Sequence, residues 1–98
     1  AFPVDATPAD PHADARRHVV EAIALDAELH GGIVSPNRVR AHLAAMPEWE
    51  VPPSCVGSTY RALRLAGHLA YAGTEISDDV RGGNAGKIHR TYRWVGVA

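Results

Sequence analysis

Apolar positions recur at helical spacing over three stretches of the chain and at strand spacing over its last third. From about Ala13 to His30, Val19, Ile23 and Ala27 stand four residues apart on one stripe, and Val20, Ala24, Leu25 and Leu29 widen the apolar face. No Gly or Pro interrupts this first helix. Gly31 and Gly32 close it, because glycine takes the left-handed termination geometry without steric cost. Asp10 or Asp14 is placed to serve its amino end, where a carboxylate meets free amides and the positive end of the helix dipole. Ile33-Val34 is too short for an independent strand and predicts a stub on a sheet built later. Ser35-Pro36 is an N-cap followed by a residue with fixed φ, so a second helix starts there. It runs to about Ala45, with Val39, Leu43 and Met46 inward, and Pro47 ends it.

Residues 47–53 form a proline-bounded loop with Trp49 folded onto the core. A third helix follows from Pro53 or Ser54 to Ala66, closed by Gly67, with Val56, Tyr60 and Leu63 as its buried stripe. Its other side displays Ser54, Ser58, Arg61 and Leu65, with Thr59 and Arg64 at the margins. Beyond Gly67 the period drops to two. Leu69, Tyr71 and Gly73 fall on one side of a segment ending near Ser77, and Ile88, Arg90, Tyr92 and Trp94 alternate with His89, Thr91, Arg93 and Val95. Between them, residues 78–86 hold three glycines, an asparagine and two aspartates, a loop signature. Two strands around such a loop predict a β-hairpin with a long tip. The expected fold class is α+β in one domain, residues 13–98, behind a loose proline-rich arm over residues 1–12.

Composition adds limits. The 98 residues are 46% apolar and 21% charged, ordinary for a soluble globular chain, and the net charge of −1 excludes a simple polycation that coats nucleic acid along its length. The charge is unevenly spread: residues 1–30 hold six acids against two bases, net −4, and residues 31–98 hold eight bases against five acids, net +3. The stretch 80–98 contains Arg81, Lys87, Arg90 and Arg93 and no acid, so it attracts an anion if the fold gathers these residues on one face. No apolar run nears the roughly 18 residues that span a bilayer, and no signal peptide pattern is present, so a cytoplasmic protein is expected.

Other chemistries find little support. The single cysteine, Cys55, excludes an intramolecular disulfide and a cysteine-based zinc site; near a helix start its pKa could fall, but without a positioned base it reads as a packing residue. The six histidines (12, 18, 30, 42, 68 and 89) include no pair at helical metal-ligand spacing, so no metal and no cofactor is expected; His42 and His68 read as packing residues. Asp78-Asp79 read as turn formers, since adjacent residues in an extended chain face opposite ways. The aromatic residues Trp49, Tyr60, Tyr71, Tyr92 and Trp94 are too few to serve both a core and a base-stacking platform. No phosphate loop or nucleophile motif is present, and an enzyme is not expected.

The order helix, strand stub, helix, helix, strand, long loop, strand resembles a winged helix-turn-helix domain over about residues 13–96. The segments VSPNRVRAHL (34–43), VGSTYRALRLAGHL (56–69) and YAGTEISDDVRGGNAGKIHRTYRWV (71–95) carry the likeness. In particular the chain is similar to small helix-turn-helix proteins of actinobacterial phages and prophages. The resemblance implies that the third helix, about 54–66, enters the DNA major groove while the wing, about 78–90, lies on the backbone or in the minor groove. It places Ser54, Ser58, Thr59, Arg61 and Arg64 on the recognition helix, and Arg81, Asn84, Lys87, His89 and Arg90 on the wing. Asn37 and Arg38 fall at the start of the second helix, where relatives touch phosphate.

The expected function is therefore sequence-specific binding of double-stranded DNA by a phage-type regulator of transcription or replication in a bacterial host cell. A homodimer through the helix 13–30 is the expected assembly. The alternative, favoured by the near-neutral charge, is a winged-helix module for protein–protein contact.

Overall fold

The computed structural model describes residues 12–96; the Asp10 cap and all but His12 of the arm expected over residues 1–12 lie outside the described residues. The elements are α1 (Ala13–Leu29), β1 (Ile33–Val34), α2 (Pro36–Ala44), a 3-10 turn (Pro47–Trp49), α3 (Pro53–Leu65), β2 (Leu69–Ile76) and β3 (Ile88–Trp94). The boundaries follow the local signals. Ser35 Oγ accepts from the Arg38 amide as the N-cap of α2, and Gly67 at φ 84° lets the His68 amide return to the Leu63 carbonyl at 2.8 Å behind α3.

The strands form one antiparallel sheet in the order β1-β3-β2. The stub pairs with β3 through Ile33↔Arg93 and Val34↔Tyr92, which makes β3 the central strand. β2 and β3 pair from Leu69↔Trp94 to Ile76↔Ile88, with an irregularity between Tyr71 and Gly73. The helices supply the rest of an α+β arrangement. Its core contains Val19, Ile23 and Ala27 of α1, Val34 of β1, Val39 of α2, Tyr60 and Leu63 of α3, and Leu69 of β2.

Several expectations shift. The α1 stripe is buried as expected, but Leu25 and Leu29 are exposed, and so is Met46 beyond α2. The buried face of α3 comprises Cys55, Thr59, Tyr60 and Leu63, leaving Val56 half-buried. Thr59 enters this face because its hydroxyl donates to the Cys55 carbonyl at 2.6 Å, which satisfies the polar group inside the helix. Trp49 is half-buried and stacks on His18 with ring centroids 4.3 Å apart.

Candidate nucleic-acid interface

The hairpin is tied near its loop end to the start of α2. Glu75 of β2 accepts from Ser35 Oγ at 2.7 Å and from the Asn37 amide at 3.3 Å, and His89 Nε2 of β3 lies 2.6 Å from its Oε2. Burial alone would raise the Glu75 pKa; the contacts with His89, Ser35 and the Asn37 amide outweigh it and hold the carboxyl below its usual value. Asn37 Nδ2 donates to the Ile76 carbonyl at 2.9 Å, and its Oδ1 accepts from the Asp78 amide at 3.1 Å and from Arg40. Arg40 reaches Asp78 at 3.1 Å. Asn37 and His89, expected as DNA contacts, are thus engaged in fixing the angle between helix and hairpin.

Arg38 turns inward as well. Its Nε donates to Asp26 Oδ1 at 2.9 Å and its Nη2 to the Ile33 carbonyl at 3.2 Å. Asp26 is fully buried on α1 and also accepts from the Ser35 amide at 2.9 Å, with His42 Nε2 3.1 Å away. Desolvation pushes its pKa up, but Arg38, the Ser35 amide and His42 together bring it below the ordinary carboxylate value. A carboxylate on the inner stripe joins α1 to α2, and Arg38, expected at a phosphate, is engaged in this internal ion pair. The signal in the sequence was an acid at a helical core position, next to Ala27 and three residues after Ile23.

The residues that do face outward come from α3 and the hairpin. Ser54, Ser58 and Arg61 are exposed on α3, with Ser58 Oγ donating to the Cys55 carbonyl at 3.2 Å. Thr59 departs from the expected set, because its hydroxyl is spent within the buried face. Arg64 of α3 lies over the ring of Tyr71, with its guanidinium carbon 5.1 Å from the centroid, and Arg90 of β3 stands over the same ring at 4.2 Å. Tyr71 leans on Tyr92 at 5.8 Å, and Tyr92 stacks on Tyr60 of α3 at 5.0 Å. One aromatic ladder therefore runs from the core to a platform on which cations of two elements meet. The sequence assigns Tyr71 to packing; the tertiary arrangement sets it between the two arginines.

Arg81 and Lys87 are exposed on the hairpin, and their side chains, like that of Arg61, make no hydrogen bond or ion pair among the described residues. The acids nearby are all engaged. Glu75 is held as described, Asp78 is paired with Arg40, and Asp79 accepts from the Gly82 amide at 2.8 Å and from Asn84 Nδ2 at 3.2 Å. These two contacts lower the Asp79 pKa. Asn84 is accordingly a turn-former here, and of the residues expected on α3 and the hairpin, Ser54, Ser58, Arg61, Arg64, Arg81, Lys87 and Arg90 keep side chains turned away from the buried core.

Comparison with protein-family models, curated proteins and solved structures finds no match. No described helix is long and apolar enough to cross a membrane.

Proposed function

We propose that this chain is a winged helix-turn-helix domain that binds double-stranded DNA in a sequence-specific way, as a phage-type regulator of transcription or replication. The observation that supports it most is the meeting of Arg64 and Arg90 on Tyr71, which joins the outer face of α3 to the hairpin in one cationic surface. In this reading α3 occupies the major groove. Arg61 reads base edges, because a guanidinium presents the planar paired donors that guanine accepts. Ser54 and Ser58 near the helix start, with Arg64, Arg90, Arg81 and Lys87, hold phosphates on either side. Asn37, Arg38 and His89 act through position, by fixing α2 and the loop end of the hairpin. The role is recognition without a catalytic step, metal or cofactor.

Selection of duplexes from a random library tests this reading. A shared motif enriched over successive rounds, and lost with Arg61→Ala, is the expected result; retention of no duplex at low salt overturns it. The second reading, a protein-contact module, draws on the exposed apolar Ile76, Val80 and Ile88 of the hairpin, and it predicts that no duplex is retained.

A further inference from the structure

Two surfaces of the chain leave apolar side chains uncovered, and they carry opposite charge. On α1, Leu25 and Leu29 are 43% and 60% exposed. Glu21 and Glu28 are exposed beside them, and the spacing 21, 25, 28, 29 places all four on one helix face. The last turn of α1 holds no Lys or Arg. On the hairpin, Ile76 and Ile88 are cross-strand partners, 60% and 70% exposed, and Val80 at the tip is 80% exposed. Lys87 adjoins Ile88 in the chain, Arg81 adjoins Val80, and Arg90 lies two residues along β3 from Ile88, on the same face of the strand.

We propose that, in the absence of DNA, these two surfaces bind each other between copies of the chain, so that the hairpin of one copy docks on the α1 stripe of the next through cations that a duplex would otherwise take. Charge complementarity selects this arrangement over a two-fold pairing of α1 with α1. In a two-fold contact each stripe meets its own likeness, gathering four carboxylates, while the exposed base one turn away, Arg17, is already engaged by Asp14. Among the described residues Glu21 has one weak neighbour, His18 Nδ1 at 3.9 Å. The hairpin offers the missing cations together with an apolar strip to cover the leucines. A contact between unlike surfaces leaves one of each free at the ends, so it adds copies head to tail. This revises the expected dimer: α1 still meets a second copy, but through that copy's hairpin.

Charge-swap variants studied by sedimentation, with no DNA present, test the contact. One variant reverses the stripe (Glu21→Lys with Glu28→Lys) and the other reverses the hairpin (Arg81→Glu with Lys87→Glu). The natural chain is expected to associate more strongly as salt falls. Each variant alone is expected to associate at least roughly tenfold more weakly, having lost one of the two surfaces. Mixed in equal amounts, the hairpin-reversed variant supplies an intact stripe and the stripe-reversed variant an intact hairpin. The mixture is expected to regain association, because the intact stripe meets the intact hairpin and the reversed stripe meets the reversed hairpin, both pairings complementary in charge. Circular dichroism of each variant, with recovery of association on mixing, separates a lost contact from a lost fold. Self-association of the hairpin-reversed variant as strong as that of the natural chain points to the two-fold α1 contact and overturns the proposal. A natural chain that stays monomeric at millimolar concentration and low salt also overturns it.

Discussion

Arg38 Nε lies 2.9 Å from Asp26 Oδ1, joining a half-buried guanidinium on α2 to a fully buried carboxylate on α1. Removing one partner of such a pair strands the other charge without its counterion, and this outweighs the modest net worth of the pair itself. Arg38→Ala is expected to destabilise the fold by about 2 kcal/mol, below the full buried-pair penalty because water already reaches one side of the guanidinium. An unchanged urea midpoint would contradict this role.

Acid should weaken the fold through the same carboxylate and through Glu75. Both have folded-state pKa values below their ordinary ones. Their contribution is therefore fully present above the usual carboxylate pKa and is lost as pH falls through the depressed folded values. Urea midpoints measured from pH 7 downward should be flat at first and then fall below about pH 4. Combining Asp26→Asn with Glu75→Gln should make the acid limb shallower. Stability that rises on acidification would reverse the sign and defeat the assignment.

Tyr71 is expected to matter more for binding than for folding. Its ring is exposed, yet it seats both Arg64 and Arg90. An exposed cation–π contact is worth about 0.5–1 kcal/mol, so losing two should weaken DNA binding by roughly fivefold to thirtyfold on every sequence. Tyr71→Ala should show that loss with little change in urea midpoint, and Tyr71→Phe, which keeps the ring, should bind as the natural chain does. Full affinity in Tyr71→Ala would remove the platform from the account.

Arg61 and Lys87 should separate base reading from phosphate holding. Arg61→Ala is expected to cost about 1–3 kcal/mol on a selected site and much less on random duplex. Lys87→Ala should weaken both alike and reduce the salt slope by about 1. Equal losses for the two variants on all sequences would argue against base contacts by α3.

Local chemistry made the element order legible. Ser35-Pro36, Gly67 and the glycine-rich stretch 78–86 each act within a few residues, so their effect can be read from a short window. Which α3 residues are buried was harder, because Thr59 can satisfy its hydroxyl inside the helix and is not obliged to face water. Outward placement was legible at Arg61, Arg81 and Lys87, whose side chains have no long-range partner among the described residues. Placement was not legible where a long-range partner decides the matter. Asn37 meets the strand end 39 residues away at Ile76, His89 meets Glu75, and Arg38 meets Asp26. These pairings arise only once the sheet register and the packing of α1 on α2 are fixed.

The salt dependence of binding to duplex DNA tests the central claim most directly. Four phosphate contacts, by Arg64, Arg81, Lys87 and Arg90, predict that log K falls against log salt with a slope of about −3 to −4. A flat dependence, or no binding at the lowest salt, would contradict a DNA-binding surface shared by α3 and the hairpin.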